Sequence, residues 1–277
     1  MKMSCLPVSY FPEIIEGRMT IGSWAKEAAG LGLDAIDLSS IFFQNSTDED
    51  LRKVRREIEK EGIRVLVLNT YPDFTHPDKQ IRRKELSKIN DNIRTAGLLG
   101  AGIVRVTAGQ AHPGTEKKEG IRLAAEGLLS LEETAKKNSV TLALENHSKP
   151  GVWDYFDFAY PTDIFLEIAG KLQGSAVKVL FDTANTIAYG DDPLTVLEKV
   201  YDRVVCIHAA DTVRKGSFKP AFIGKGAVPF IEIFRFLKKA GYSGWLSIEE
   251  ASGKGKRGIE GAVNFIRETW DHAQEDI

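Results

Sequence analysis

The feature that most constrains the fold of this chain is an eightfold alternation of short apolar segments with longer stretches of helical periodicity. The apolar segments have the length and composition of buried β-strands, and they cover residues 4–9, 35–38, 64–69, 103–107, 141–146, 177–182, 204–210 and 245–250. Strict alternation of strand and helix predicts a parallel sheet with right-handed crossovers. Eight such units without a linker-like change in composition predict a single α/β domain over residues 1–277, a (β/α)8 TIM barrel.

The segments between the strands predict a helix after every strand. The expected helices cover residues 20–31, 46–61, 79–99, 161–171, 194–201, 229–240 and 259–271, and a further helix follows strand four as far as residue 138. Residues 11–19 and 183–193 are expected to be loops. The competing fold is an open doubly wound sheet, but the first strand is not followed by the glycine-rich phosphate loop typical of that fold. The longest loops follow the C-terminal ends of strands, where barrel enzymes carry their sites.

Composition and charge exclude several classes of partner. The net charge of −2 and the pI near 6.3 give no general electrostatic attraction to nucleic acid. No apolar run approaches the length of a membrane span, and the N-terminal segment lacks the apolar core of a secretory signal. Cys5 and Cys206 both fall in predicted strands, which favours buried, unreactive thiols. We therefore expect a cytoplasmic protein that binds neither nucleic acid nor membranes.

Four of the predicted strands end in an ionisable side chain. Strands five, six and eight deliver Glu145, Asp182 and Glu249, and strand seven delivers His208. Taken singly, a carboxylate at a strand end is often a helix N-cap or an ion-pair partner, and a lone histidine is often a hydrogen-bonded core residue. Taken together, the four would lie on adjacent walls of one barrel mouth, where a divalent cation relieves the repulsion between carboxylates. Three oxygen ligands and one nitrogen ligand suit Mn²⁺, Mg²⁺ or Co²⁺ and do not exclude Zn²⁺.

Residue parity tests whether these side chains face the barrel interior. Residues two apart on a strand point the same way, so each ionisable residue shares a face with the residue two positions before it. These companions are Ala143, Leu180, Cys206 and Ser247. As a set they are smaller or more polar than the residues on the opposite face of each strand. The bulkier set can pack against the helices, which predicts that the ionisable residues face the lumen.

Five motifs carry a resemblance to a known family. They are LALENH at Glu145, FDTAN at Asp182, IHAADTVR at His208, the segment IGKGAVPF, and GYSGWLSIEE at Glu249. With these motifs the chain resembles the xylose-isomerase-like barrel superfamily over nearly its whole length. The group concerned contains ketose 3-epimerases, hydroxypyruvate isomerases, and inosose isomerases or dehydratases.

The resemblance implies roles for particular residues. Glu145, Asp182, His208 and Glu249 would bind one divalent metal, with Mn²⁺ as the expected ion and Mg²⁺, Co²⁺ and Zn²⁺ as alternatives. The two glutamates would also be the catalytic residues that handle protons. Arg214 would contact substrate oxygens.

Some positions depart from the family pattern or lie outside it. Many relatives have a histidine where this chain has Asn185, which can hydrogen-bond to substrate but cannot titrate. His147 shares the parity of Glu145 and is a candidate substrate contact; His112 is a weaker one. Glu250 is expected to point toward the helix layer. The segment 153–160 is rich in aromatic residues, which could form a sugar-stacking wall, pack as a lid, or make a dimer contact.

The resulting hypothesis is an isomerase or epimerase of a small sugar or polyol ketone that works through a metal-stabilised enediolate. A lyase or dehydratase would use the same enediolate next to a leaving group. An apurinic-site endonuclease of the same superfamily would need a trinuclear zinc cluster, and the chain has only five histidines. A metal-free binding barrel is the remaining alternative. The sequence leaves open whether the substrate is phosphorylated. It also leaves open the oligomeric state, for which a homodimer and a homotetramer are candidates.

Overall fold

The β-strands build one parallel sheet that curls into a nearly closed barrel. The structure is a computed structural model that describes residues 1–275. In this part of the chain the strands are β1 Lys2–Leu6, β2 Ala35–Ser39, β3 Arg64–Asn69, β4 Ile103–Val106, β5 Thr141–Glu145, β6 Lys178–Asp182, β7 Val204–Ala209 and β8 Trp245–Glu249. Their order in the sheet is β1-β8-β7-β6-β5-β4-β3-β2. Beside β2, the N–H of Asp34 donates to the carbonyl of Met3 at 2.9 Å, which brings the first two strands together. The predicted (β/α)8 barrel is confirmed.

The helices surround this barrel. They are α1 Phe11–Ile15, α2 Ile21–Gly30, α3 Asp48–Lys60, α4 Lys79–Leu99, α5 Lys117–Leu129, α6 Glu132–Lys137, α7 Thr162–Lys171, α8 Thr183–Tyr189, α9 Pro193–Val200, α10 Phe230–Lys239 and α11 Lys256–Glu275. Within residues 1–275, none of the helices combines the length and apolarity that a bilayer crossing requires.

Several element boundaries differ from the sequence prediction, each for a local reason. Strand β1 ends at Leu6, earlier than expected, because Pro7 has no N–H to donate to a ladder. The two segments expected to be loops contain the short helices α1 and α8. Helix α8 begins directly after β6 because the carboxylate of Asp182 accepts hydrogen bonds from its first N–H groups. The single helix expected up to residue 138 is divided into α5 and α6.

The apolar core has two separate parts, and they match the parity prediction. Ala143, Leu180 and Cys206 belong to a small cluster inside the barrel. Their neighbours of opposite parity, such as Leu144 and Ile207, belong to the large cluster between the barrel and the helices. Cys5 and Cys206 are both buried, free thiols, as expected. The lumen-facing set therefore continues at the C-terminal strand ends with the ionisable side chains.

The long loop after β5 is anchored against α5 by a close aromatic contact. Phe158 is buried, and its ring covers Gly120 so closely that a Cβ added there would lie 2.1 Å from Cζ of the ring. On the neighbouring loop, Gly109 accepts a hydrogen bond at its carbonyl from the N–H of Phe158 at 2.7 Å. The C-terminal part of the loop after β5 is thus held against the barrel before α7 begins.

We expect Gly120→Ala to destabilise the fold by about 1–3 kcal/mol, because the added methyl group must displace the Phe158 ring from a packed site. Urea unfolding measures the loss. The matched control is Gly170→Ala in α7, where an added Cβ meets nothing within 4 Å. This control should be neutral or slightly stabilising. Equal stability of the two variants would contradict the anchoring role of Phe158.

Candidate metal centre

Four side chains at the C-terminal ends of adjacent strands meet at one point. Glu145, Asp182, His208 and Glu249 each offer one ligand atom, and these atoms lie within 4.8 Å of one another. The strands that carry them, β5 to β8, are consecutive neighbours in the sheet. Asp182 and His208 are direct register partners across β6 and β7. The predicted convergence of the strand ends is therefore present in the structure.

His208 stands between the two glutamates. Its Nδ1 atom lies 2.7 Å from Oε1 of Glu145 and 3.0 Å from Oε2 of Glu249. The imidazole is fully buried, and burial alone would lower its pKa; the two carboxylates outweigh this and raise the pKa of His208 well above its usual value. Nδ1 is thus the nitrogen that faces the oxygen ligands.

Asp182 serves two purposes with its two carboxylate oxygens. Its Oδ1 atom accepts hydrogen bonds from the N–H groups of Ala184 at 2.8 Å and Asn185 at 2.6 Å, which makes it the N-cap of α8. Burial and the charges of Glu249 and Glu145 raise the pKa of Asp182 well above its usual value. One oxygen of Asp182 therefore acts as a helix N-cap, which is one of the roles expected for a strand-end carboxylate. The residue also lines the cavity and belongs to the four-residue cluster.

A buried arginine that sequence reasoning did not identify lies beside the cluster. Arg105 of β4 is 2% exposed, and its Nε atom lies 3.1 Å from Oε2 of Glu145. Nε also donates to the side chain of Asn69 at 3.0 Å, and Nη1 donates to the carbonyl of Thr70 at 2.8 Å. The guanidinium group lies 4.6 Å from the centre of the Tyr71 ring. Arg105 is thereby held rigidly beside the most deeply buried glutamate.

Arg105 and His208 decide the charge state of Glu145. Burial disfavours its carboxylate, but the nearby cation and imidazole outweigh burial and lower the pKa of Glu145 to about 2. The glutamate is therefore ionised at neutral pH. Residue parity is the sequence signal that could have identified Arg105 as a residue facing the barrel interior. It is the lone charged residue of a short apolar strand, and it shares the face of Ile103, which lies inside the barrel.

Asp37 of β2 was also missed by sequence reasoning. It is fully buried, and its carboxylate accepts a hydrogen bond from the Ser247 hydroxyl. Its Oδ2 atom lies 3.9 Å from Nε2 of His208, on the side of the ring away from the glutamates. Burial raises the pKa of Asp37 to about 6. A carboxylate behind the ring is the arrangement that commonly orients a histidine ligand of a metal.

The donor set fits a single divalent cation. Three carboxylates and one imidazole nitrogen converge, and among the described residues the buried Oε2 of Glu145 has an ion-pair contact with Arg105 but no hydrogen bond. Oxygen-rich sets with one nitrogen are typical of hard or borderline divalent ions. The cluster could therefore hold a metal ion, with Glu145, Asp182, His208 and Glu249 as its ligands.

A cavity of about 370 Å³ opens above this cluster, and it includes some of the expected substrate-binding residues but not others. His147 and Asn185 line it, together with Arg105 and Lys219. Arg214 is exposed and is not among the lining residues. His112 instead lies outside the cavity, with Nε2 2.7 Å from Oδ2 of Asp73.

The aromatic segment after β5 packs mostly on itself and on neighbouring loops. Trp153 and Phe158 are buried, and neither lines the cavity above the cluster. Phe156 stacks on Tyr160 with ring centres 5.0 Å apart, and both rings contact Phe218 edge to face. Phe218 is the member of this cluster that lines the cavity. The segment thus builds the rim of the site rather than its wall.

Glu250 lies on the opposite side of β8 from Glu249. It is buried, it accepts a hydrogen bond from the N–H of Ser252 at 2.9 Å, and it lies against Gly258 of α11. This placement agrees with the expectation that Glu250 points toward the helix layer. Of the two, Glu249 is the residue that joins the cluster with Glu145, Asp182 and His208.

Several proteins with similar sequences or structures are named for reactions of sugars or inososes. An inosose dehydratase from Clostridium beijerinckii is 27% identical over 146 residues, which is 46% of this chain and 46% of that protein. The L-ribulose-5-phosphate 3-epimerase UlaE from Escherichia coli is 27% identical over 80% of this chain and 79% of its own length. The crystal structure of D-psicose 3-epimerase with D-tagatose from Clostridium cellulolyticum H10 matches with a TM-score of 0.78 and 17% identity, covering 98% of this chain and 99% of that one.

The sequence also matches a protein family over most of its length. The family described as "Xylose isomerase-like TIM barrel" matches residues 25–269, which is most of the chain. This range contains seven of the eight strands, β2 to β8, and all four residues of the strand-end cluster. The eight-stranded barrel, the sugar isomerases and epimerases among its relatives, and this match agree with one another, and the chain belongs to the xylose isomerase-like TIM barrel family.

Proposed function

We propose that the protein is a divalent-metal-dependent isomerase or epimerase of a small sugar or polyol ketone, with Glu145 and Glu249 as its proton-transfer residues. The observation that carries the proposal is the position of the two glutamates. They flank Nδ1 of His208, their carboxylates come from non-adjacent strands, and Glu249 lines the cavity above the cluster. A substrate carbon held between the two glutamates would therefore have a carboxylate on more than one side.

The two glutamates differ in environment, which suits different tasks. Glu145 is fully buried and paired with Arg105, whereas the side chain of Glu249 is 26% exposed. Glu145 is ionised at neutral pH and can accept a proton from the carbon next to the carbonyl. Return of a proton by Glu249 to the other face of that carbon gives an epimer, and return to the adjacent carbon moves the carbonyl.

A bound divalent cation, held by Glu145, Asp182, His208 and Glu249, would supply electrostatic stabilisation of the oxygen on which negative charge develops. Mn²⁺ is our first choice, ahead of Mg²⁺, Co²⁺ and Zn²⁺. His147 and Asn185 line the cavity and would orient substrate oxygens. Arg214 would contact the substrate in a conformation in which its loop turns inward, since Arg105 is the arginine that lines the cavity among the described residues.

Dehydration of a keto-sugar or inosose is the second candidate, and the similarity to an inosose dehydratase favours it. The first step would be the same removal of a proton beside the carbonyl. Loss of hydroxide from the next carbon would then replace return of the proton. A nucleic-acid substrate has less support, because the chain is slightly acidic.

Incubation with ketoses and inososes in D2O tests the proposal. We expect deuterium to enter the carbon next to the carbonyl and an epimer or isomer to form, because the removed proton exchanges with solvent. A chelator should abolish the exchange, and Mn²⁺, Mg²⁺ or Co²⁺ should restore it.

Release of water from the substrate would select the dehydratase. The isomerase and dehydratase proposals would both be contradicted by metal-loaded protein that binds sugars but exchanges no carbon-bound proton in any of them. Activity that survives complete removal of metal would contradict the metal dependence.

A further inference from the structure

Two buried polar atoms face each other beside the cavity without any other partner. Nδ1 of His147 lies 3.6 Å from Oδ2 of Asp157. Both atoms are shielded from solvent, and neither has a hydrogen-bond partner among the described residues. A buried polar atom that stays unpaired is costly, and a slight rotation of the imidazole brings the two within hydrogen-bond distance. Among the described residues, each atom is therefore placed to become the hydrogen-bond partner of the other.

The main chain holds Asp157 in place from both sides. Its N–H donates to the carbonyl of Ser148 at 2.6 Å, and its Oδ1 accepts from the N–H of Ala159 at 2.7 Å. The flanking residue Phe156 accepts a hydrogen bond at its carbonyl from the N–H of Ala111 at 2.8 Å. With Phe158 anchored over Gly120, the loop delivers one fully buried carboxylate to a fixed position.

The His147 side chain also borders the cavity. His147 is among the lining residues and keeps 9% of its surface exposed, whereas its Nδ1 atom is buried. Trp153 packs edge to face against the ring, with the ring centres 6.3 Å apart. Because Nδ1 faces the carboxylate, Nε2 is the atom available to a ligand.

We propose that Asp157 is a positioning residue that accepts the Nδ1 proton of His147, so that an unprotonated Nε2 accepts a hydrogen bond from a hydroxyl group of the substrate. A carboxylate partner at Nδ1 fixes both the tautomer and the orientation of a neutral imidazole. In that tautomer Nε2 is an acceptor, and it selects a donor such as an alcohol over an ether or a carboxylate. The inference rests on the proposed function in one respect, that the ligand carries hydroxyl groups.

Nitrogen-15 NMR of the full chain with Mg²⁺ tests the tautomer without any substrate. The chain has five histidines, and loss of one imidazole signal in His147→Gln assigns the ring. We expect Nδ1 to carry the proton and Nε2 to be bare in the wild-type protein. Asp157→Asn should mix or reverse the tautomers, whereas Asp154→Asn, an exposed acid in the same loop, should leave them unchanged.

Substrate analogues test the consequence for recognition. For a ketose that shows exchange, the wild-type protein should prefer the free hydroxyl over its methyl ether by about tenfold in kcat/KM, the value of one hydrogen bond. The relevant methyl ether is the one at the hydroxyl that contacts His147. This hydroxyl is identified as the position at which His147→Gln removes the preference. Asp157→Asn should remove this preference too, mainly through KM, while retaining the wild-type unfolding midpoint.

The possible outcomes separate this inference from the proposed function. A bare Nδ1 in the wild-type protein, as a protonated Asp157 would impose, overturns the inference whatever the enzyme does. A preference for the hydroxyl that survives in Asp157→Asn overturns it as well. Absence of exchange with every ketose contradicts the proposed function, and the tautomer measurement still decides the role of Asp157.

Discussion

Glu145→Gln should lower kcat for proton exchange by about 10²–10⁴-fold, the usual contribution of a general base. Glutamine has almost the same shape as glutamate, but its amide is not a base and its NH₂ group cannot coordinate a cation. Glu145 has two cationic or imidazole neighbours, Arg105 and His208, that are positioned for a carboxylate. Exchange in D2O and metal content by elemental analysis measure the two losses separately.

Two further variants make this result specific. Glu249→Gln should also lower exchange, and it should retain more metal if Glu145 is the stronger ligand. Glu198→Gln, an exposed glutamate on α9, should behave as wild type. Full activity of Glu145→Gln at saturating metal would contradict a catalytic role for this residue.

Arg105→Met should destabilise the metal-free protein by about 3–5 kcal/mol, the cost of removing one partner of a buried ion pair. The substitution leaves the Glu145 carboxylate buried without its guanidinium partner, and Asn69 loses the donor to its side-chain oxygen. Urea unfolding in the presence of a chelator measures the loss. Arg52→Met, at an exposed position on α3, is the matched control and should have a small effect.

The same variant gives a second measurement when metal is present. A divalent cation at the cluster compensates the charge of Glu145, so the destabilisation caused by Arg105→Met should be smaller with saturating Mn²⁺ than with chelator. A bound metal stabilises the folded state by RT ln(1 + [L]/Kd). The free energy of unfolding should therefore rise more in the variant than in the wild type if the variant binds metal more tightly. Equal destabilisation in both conditions would contradict electrostatic coupling between Arg105 and the metal cluster.

The strand-end residues were accessible from sequence because their position follows from two simple periodicities. Alternation of strands and helices placed Glu145 and His208 at the same end of a barrel, and residue parity placed them in the lumen. Both arguments depend only on local sequence and on the geometry shared by all such barrels. The structure agrees with them at the interior cluster and at the convergence of the strand ends.

Other features depend on contacts between distant segments. Asp157 becomes a partner of His147 only because the loop after β5 folds back, and no sequence periodicity describes that loop. Arg214 illustrates the converse, because a motif gives its position in the chain but not the direction of its side chain. Helix α8 lies in a segment expected to be a loop, because Asp182 caps this helix with one oxygen and also belongs to the strand-end cluster.

The dual use of Asp182 has a consequence for the comparison of related sequences. One of its oxygens begins helix α8, and this task would remain in a chain whose barrel had lost the ability to bind a metal. Selection for the helix alone would then keep aspartate at this position. Its presence in a homologue is weak evidence for a metal enzyme, whereas Glu145, which caps no helix here, is the more informative position to compare.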